Sequence, residues 1–404
     1  MKNNFFNFLK IVLPILLVGA VINCCNCCSG QDSDVIQVHK QADIPGNTKP
    51  IPVSLDGFSG EVADVLKFDL YVQGFSFVAP DAAQYQISGS AGANVTGSVT
   101  DKVAKRVLLS NSYNGTNLRR QAHAFANDIV FAITGKKGIG LTQIAFKAQQ
   151  PDGTGEIYVS DFDGNNPQAV THDNAIVSKP SWAPGRLALY YNSYKLENPD
   201  IFSSDLSTGQ RRVVASYGGS NFSPAASPDG SKVAMILSKD GRPDVYVSNA
   251  DGSNLKRLTT GVEDSSPCWS PNGQWICFAT KINALRRLAK VPADGGAVQV
   301  ISTAGAPNPT EPDWSPDNKW IAFTSQTSEF DICVMPADGS APPTVLVRGQ
   351  DPSWSPNSRT LIFNHSVRYL ETLSVLDVFT KQVKDVGRIA GSDSEPAWRR
   401  DLNF

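Results

Sequence analysis

The feature that most restricts what this chain can fold into is a Pro-x-Trp unit that returns along its C-terminal part. It stands at Pro180-Ser181-Trp182, Pro224-Ala225-Ala226, Pro267-Cys268-Trp269, Pro312-Asp313-Trp314, Pro352-Ser353-Trp354 and Pro396-Ala397-Trp398, in steps of 44, 43, 45, 40 and 44 residues. The fullest copy, Glu311 to Gln326, reads as a β-hairpin. Asp313-Trp314-Ser315 makes a short strand, Pro316-Asp317-Asn318 supplies turn chemistry, and Trp320 to Thr324 is aromatic and β-branched. A third strand follows in each copy, as in Val245-Tyr246-Val247 and Ile332-Cys333-Val334, then a turn such as Asp251-Gly252 or Asp338-Gly339. A period in the forties with these turns belongs to four-stranded propeller blades rather than a helical solenoid. A β-sandwich with accidental similarity does not account for six registered copies.

The repeat also predicts how the ring closes. Six second strands are present, from Ile144-Ala145-Phe146 to Leu361-Ile362-Phe363, but the first has no Pro-x-Trp before it. The spare copy is Pro396 to Trp398. The last strand is therefore expected to pair into the first blade and leave no open sheet edge, with no room for a further domain behind it. The expected fold class is multi-domain and mainly β: a small α/β domain, then a six-bladed β-propeller closed by the C-terminal strand.

Residues 1–30 read as a signal peptide: Lys2 and Lys10 precede a short apolar run, Ile11 to Ile22, broken by Pro14. The cluster Cys24-Cys25-Asn26-Cys27-Cys28 that follows offers a lipid-attachment Cys, although Asn23 and Cys24 fit poorly where a lipobox wants a small residue. A secreted location follows, with no span in the mature chain. Residues 31–137 read as the α/β domain and 138–404 as the propeller. Val35 to Val38, Pro50 to Val53, Phe75 to Val78 and Val95 to Val99 are strand-like, and Ser59 is placed to cap a first helix. Leu118, Ala122, Phe125, Ile129 and Ile133 recur at helical spacing, and Gly135 ends that helix.

The chemistry-bearing residues are sparse. No Gly-x-Ser-x-Gly elbow is present, and the four histidines, His39, His123, His172 and His365, are scattered. His123, on the amphipathic helix, is expected to pack rather than ligate. A net charge of −2 with dispersed Lys and Arg gives no footprint for nucleic acid. No cofactor and no metal site is expected. Polar residues do recur just before the Pro of Pro-x-Trp: Lys179, Asn221, Ser223, Asp264, Ser265, Ser266, Glu311, Asp351 and Glu395. These loops crowd one mouth of the channel, so they read either as a solvated rim or as a docking surface. A divalent cation among the acidic ones needs six or more oxygens in close geometry. Cys268 and Cys277 lie on the two arms of one hairpin. A three-residue loop at Pro271-Asn272-Gly273 pairs Ser270 with Gln274 and puts the two thiols on opposite faces, so no disulfide is expected. Repeat alignment sets Cys277 against Ala145, Ala188, Ala234 and Ala322, a position that wants small residues.

Asn117-Leu118-Arg119-Arg120-Gln121-Ala122-His123 with Thr134-Gly135-Lys136-Lys137-Gly138 and Thr142-Gln143-Ile144-Ala145-Phe146 resembles the domain junction of the TolB family of the Tol-Pal system. Val95 to Thr100 is similar to that family's N-terminal domain. The resemblance covers residues 34 to the end. It implies a non-catalytic periplasmic interaction protein that supports outer-membrane integrity and cell division. The implied partners are a Pal-like peptidoglycan-associated lipoprotein at the propeller mouth and a TolA-like inner-membrane-anchored protein. The latter would bind through Gln31, Asp32, Ser33, Asp34 and Val35. Two other readings stay open: a secreted propeller enzyme or peptidase accessory subunit, and a lipid-anchored binding propeller with another ligand.

Overall fold

A computed structural model describes residues 44–115, 117–261, 263–387 and 391–401. The leader, its cysteine cluster, the strand expected at Val35 to Val38, His39 and the segment Gln31, Asp32, Ser33, Asp34, Val35 lie outside the described residues. The first domain carries β1 (Ile51–Asp56), α1 (Gly60–Tyr71), β2 (Phe75–Phe77), β3 (Tyr85–Ala91), β4 (Val95–Asp101), β5 (Arg106–Tyr113) and α2 (Leu118–Thr134). Its sheet has the order β2-β1-β3-β4-β5. Both helices bury their apolar stripes against it: Val62, Val65, Leu66 and Leu70 from α1, and Ala122, Phe125 and Ile129 from α2. Ser59 holds the N-cap position, but its side chain accepts no hydrogen bond there. At α2, Asn117 caps the helix by accepting from the Arg120 amide, and Gly135 ends it at φ 71°, a left-handed conformation that glycine adopts at no steric cost. Sequence reasoning gave no strand for β3 or β5. The Gly/Ser/Ala-rich β3 is held by cross-strand pairing, including Gly89 opposite Gly97. Phe125 fills the space above Gly97, where a Cβ would lie 2.2 Å from its ring.

Six four-stranded sheets follow. In the first, Ser392–Trp398 pairs with Gln143–Gln149, so the C-terminal strand is the innermost strand of blade one, as expected. The Trp of Pro-x-Trp is a spacer between blades. The indole N–H groups of Trp182, Trp269 and Trp354 donate to the carbonyls of Ala397, Ala225 and Asp313 in the preceding blade, at 3.0, 2.8 and 3.1 Å. The side chain of that middle residue accepts in turn: Ser353 from the Trp398 amide at 3.0 Å, Asp313 from the Trp354 amide at 2.7 Å. In three of the six copies the motif is thus an inter-blade joint; the Trp398 indole instead donates to Thr142 of its own blade, and blade three carries Ala226 at this position.

Two expectations about the cysteines are corrected. The loop after Cys268 has four residues, because Ser270 pairs with Trp275: the Ser270 amide donates to the Trp275 carbonyl at 2.8 Å, and the Trp275 amide donates to Ser270 Oγ at 2.9 Å. The serine hydroxyl takes the bond that a shorter loop would have left to the backbone. Cys268 therefore stands directly opposite Cys277 on the same face. The blade-two alignment also shifts by two residues. Tyr190, not Ala188, faces Ser181, and Ile362 faces Ser353, so the position of Cys277 is not restricted to small side chains.

The first domain rests on blades one and six, at the ends of the innermost strands. Phe68 of α1 meets Phe162 edge-on at 5.7 Å, and Phe162 stacks on Trp398 at 6.0 Å between centroids. The Gly46 and Thr48 amides donate to the Val378 and Phe379 carbonyls at 2.9 and 3.0 Å, and Gln382 Nε2 donates to the Phe75 carbonyl at 2.9 Å. Between the domains lies a buried charged chain. His123 Nδ1 is 2.7 Å from Asp69 Oδ2 and its Nε2 3.4 Å from Asp163 Oδ2, with Arg119 also on Asp163. Burial alone would lower the His123 value, but Asp69 and Asp163 outweigh it and raise the imidazole to about 10. Burial lifts Asp69 to about 6. Because the folded His123 value lies above the ordinary 6.5, its stabilisation is full below pH 6.5 and is lost as pH rises through about 10. His123→Gln is expected to lower stability by about 3–5 kcal/mol at pH 6, as for any broken buried ion pair. The variant should also flatten the alkaline decline. Urea unfolding at pH 6 and pH 9 measures both; equal losses at the two pH values would show that His123 acts only by packing.

Candidate functional site

Each innermost strand bends at the same place. The ladder skips across the residue before Pro and the Pro itself, two residues opposite one: Lys179-Pro180 between Tyr190 and Asn192, Ser266-Pro267 between Cys277 and Ala279, Glu311-Pro312 between Ala322 and Thr324. This is a β-bulge, where a residue leaves the ladder and Pro, with no N–H to give, sits at no loss. The residue before Pro is left-handed in all six blades: Lys179, Ser223, Ser266, Glu311, Asp351 and Glu395 have φ between 48° and 54°. The bulge turns these six side chains out of the sheet and into the channel. There they line one cavity of about 420 Å³ together with the six prolines.

The charged members lie side by side around the ring, with Glu311, Asp351 and Glu395 from blades five, six and one. Lys179 of blade two reaches across to them. Its ammonium contacts Asp351 Oδ1 and lies 3.7 Å from Glu311 Oε1. The place considered for a divalent cation is held by the chain's own lysine. The carboxylates also brace the neighbouring bulges: Glu395 Oε2 accepts from the Lys179 amide at 2.6 Å, and Glu311 Oε2 from the Asp351 amide at 3.0 Å and the Thr324 hydroxyl at 2.7 Å. Burial disfavours the Lys179 charge, yet Asp351, Glu311 and Glu395 hold it above the usual lysine range. Burial, helped by Glu311 and Glu395, pushes the Asp351 carboxyl up to about 8 against the pull of Lys179. Glu311 is likewise penalised by burial, but Lys179 and the hydrogen bonds from Thr324 and Asp351 keep it below its usual value.

Three of the residues grouped with these by sequence lie elsewhere. Asn221 is buried and staples its own loop, donating to the Pro199 and Tyr217 carbonyls at 3.1 and 3.0 Å. Asp264 is buried against the Thr259 hydroxyl at 2.5 Å. Ser265 accepts from Arg286 at 3.5 Å. Counting residues back from Pro cannot see that only the bulged one is flipped. Sequence reasoning also missed Asn192, which braces the Ser223 amide at 2.9 Å, and Arg400, which pairs with Asp313 beside the cavity. The cavity runs from this ring toward the hairpins joining first to second strands, past Pro184, Pro228, Pro271 and Pro316. The hairpins joining second to third strands, at the opposite ends of the sheets, carry exposed apolar side chains, Leu196, Leu285, Phe330 and Tyr369. Among the described residues no helix is long and apolar enough to cross a membrane.

Fold and site together define a two-domain propeller protein whose channel carries a mixed polar ring. The comparisons agree with that class. The description "TolB beta propeller domain" matches residues 131–402, well over half the chain, and the chain belongs to the TolB family. It is similar to the Tol-Pal system protein TolB of Desulfosudis oleivorans, 33% identical over 161 residues, which are 39% of this chain and 36% of that protein. It is also similar to the TolB homolog of Chlorobium chlorochromatii, 32% identical over 197 residues, 47% of this chain and 44% of that one. These matches span less than half the length of either relative. The crystal structure of TolB from Acinetobacter baumannii shares the fold over 88% of this chain and 98% of its own, with a TM-score of 0.79 at 20% identity.

Proposed function

We infer that the chain is a non-catalytic docking component of a Tol-Pal system, working in the periplasm. It links a TolA-like inner-membrane-anchored protein to a Pal-like peptidoglycan-associated lipoprotein, and so supports outer-membrane integrity and cell division. The observation that carries this reading is the ring of six bulge residues. Six blades spend a left-handed backbone position, costing about 1–3 kcal/mol each, on side chains that enter the channel rather than the core. The segment Gln31, Asp32, Ser33, Asp34 and Val35 is proposed as the contact for the TolA-like partner.

Reversing Glu311 and Asp351 would break the internal pairing with Lys179, so the clean test uses the two neutral positions of the ring. Ser223 and Ser266 stand where blade two already carries Lys179 at the same φ. The double variant Ser223→Arg and Ser266→Arg is therefore expected to fold normally and to bind a peptidoglycan-associated lipoprotein at least about tenfold more weakly, a loss of 1.4 kcal/mol or more. Calorimetric titration with the soluble lipoprotein domain measures it. Unchanged affinity would remove the mouth from the interface.

A further inference from the structure

The three described cysteines, Cys268, Cys277 and Cys333, are free and share one apolar cluster with Met335. Two of them meet. Cys268 and Cys277 are direct cross-strand partners on the same face. Their ladder position fixes how far apart they stand. Ser270 and Trp275 are joined by a backbone bond, so the pair two residues further along is also of the hydrogen-bonded kind, with Cα atoms about 5.5 Å apart. In such a pair the Cβ atoms stand about 5.5 Å apart, beyond the 3.5–4.5 Å that a disulfide wants. The Cα spacing is one a disulfide tolerates, but with the wider Cβ separation the two thiols face each other unbonded. Cys268 lines the channel cavity at 8% exposure, while Cys277 is fully buried behind it.

We propose that Cys268 and Cys277 form a two-thiolate site for a soft monovalent cation of the cuprous class, entered from the channel. A metal bridge is longer than a sulfur–sulfur bond and suits two thiols that face each other unbonded at a wide cross-strand position. Paired thiolates in a dry pocket select soft cations over hard ones. Binding breaks two S–H bonds and forms two S–Cu bonds. Both protons leave through the cavity, copper stays in the +1 state, and no oxidant or reductant is consumed. The product carries one negative charge. Arg400, which lines the same cavity, is a cation close to it, although its charge is shared with Asp313. Contact with the Cys277 thiol, with burial, pushes the Cys268 thiol well above its usual value.

The repeat supplies the controls. Other blades carry Ala225 and Ala397 at the Cys268 position and Ala145, Ala234 and Ala322 at the Cys277 position, so alanine fits both. The test uses the full chain with Cys24, Cys25, Cys27 and Cys28 replaced by serine, titrated anaerobically with Cu(I) against a chromogenic chelator. One copper should bind per chain, and reactive thiols after unfolding in its presence should fall from three to one. Cys268→Ala and Cys277→Ala should each abolish binding, and Cys333→Ala should leave it intact. Copper retained by either of the first two variants, no bound copper in the parent, or a 268–277 disulfide in the protein as isolated would each overturn the site.

Discussion

Replacing Lys179 by methionine should lower the stability of the folded chain by about 2–4 kcal/mol at pH 8, between the cost of an exposed and of a fully buried broken pair. The side chain is 30% exposed and faces carboxylates that are mostly buried. Methionine keeps the length and removes the charge. Glu311 and Asp351 then lose the ammonium that pairs with them, and Glu395 its share of it. The pH dependence gives the cause away. Without the lysine, Glu311 loses the charge that holds it below its usual value and Asp351, already raised by burial, rises further. The folded state then binds more protons than before, and the variant loses stability as pH rises. The deficit against wild type should therefore shrink at pH 5, and Lys179→Arg should restore most of it. A deficit of equal size at pH 5 and pH 8 would assign Lys179 to packing alone.

Deleting residues 394–404 should abolish the single cooperative unfolding transition. The deletion removes most of the innermost strand of blade one, whose partners run from Gln149 to Ile144, and with it Trp398. Trp398 is buried, stacks on Phe162 at 6.0 Å and donates to Thr142 Oγ1 at 2.9 Å. Loss of one such side chain costs about 3–5 kcal/mol by itself, a large part of the roughly 5–15 kcal/mol that stabilises an ordinary domain. The open edge on Gln143–Gln149 adds an aggregation site. Differential scanning calorimetry with size-exclusion chromatography should show a broadened, early melt and self-association. A truncated chain that melts like the parent would mean that the ring does not depend on this strand.

The architecture was legible because its signals are local and repeated. Pro-x-Trp marks an inter-blade joint in three of its six copies, and the unmatched copy at Pro396 points to the closing strand. The spacing from Leu118 to Ile133 with Gly135 after it specifies α2 in the same way. β3 was not legible, since Ser88, Gly89 and Ser90 have little strand propensity of their own and are held by pairing with β4. The site was half legible. Its six residues are all next to a Pro that the repeat displays, but the left-handed flip that separates Ser266 from Asp264 is a property of the folded ladder. That Lys179 crosses the ring to Asp351, 172 positions away in sequence, is a contact no local pattern encodes. The turn after Cys268 was misread for a smaller reason: a serine hydroxyl can stand in for a backbone acceptor and lengthen the loop.

The placement of the first domain has a mechanical consequence. A ring made from one strand of chain is only as strong as the joint where its two ends meet, and that joint is blade one. The first domain is seated on this blade and the next one round, with Phe68 and Val72 entering the same apolar cluster as Trp398, Ile362 and Phe162. The domain is therefore a clasp over the joint. Tension applied through the N-terminal side of the molecule would be delivered to the blade held by both chain ends, and the first element to yield under load would be the one that opens the ring.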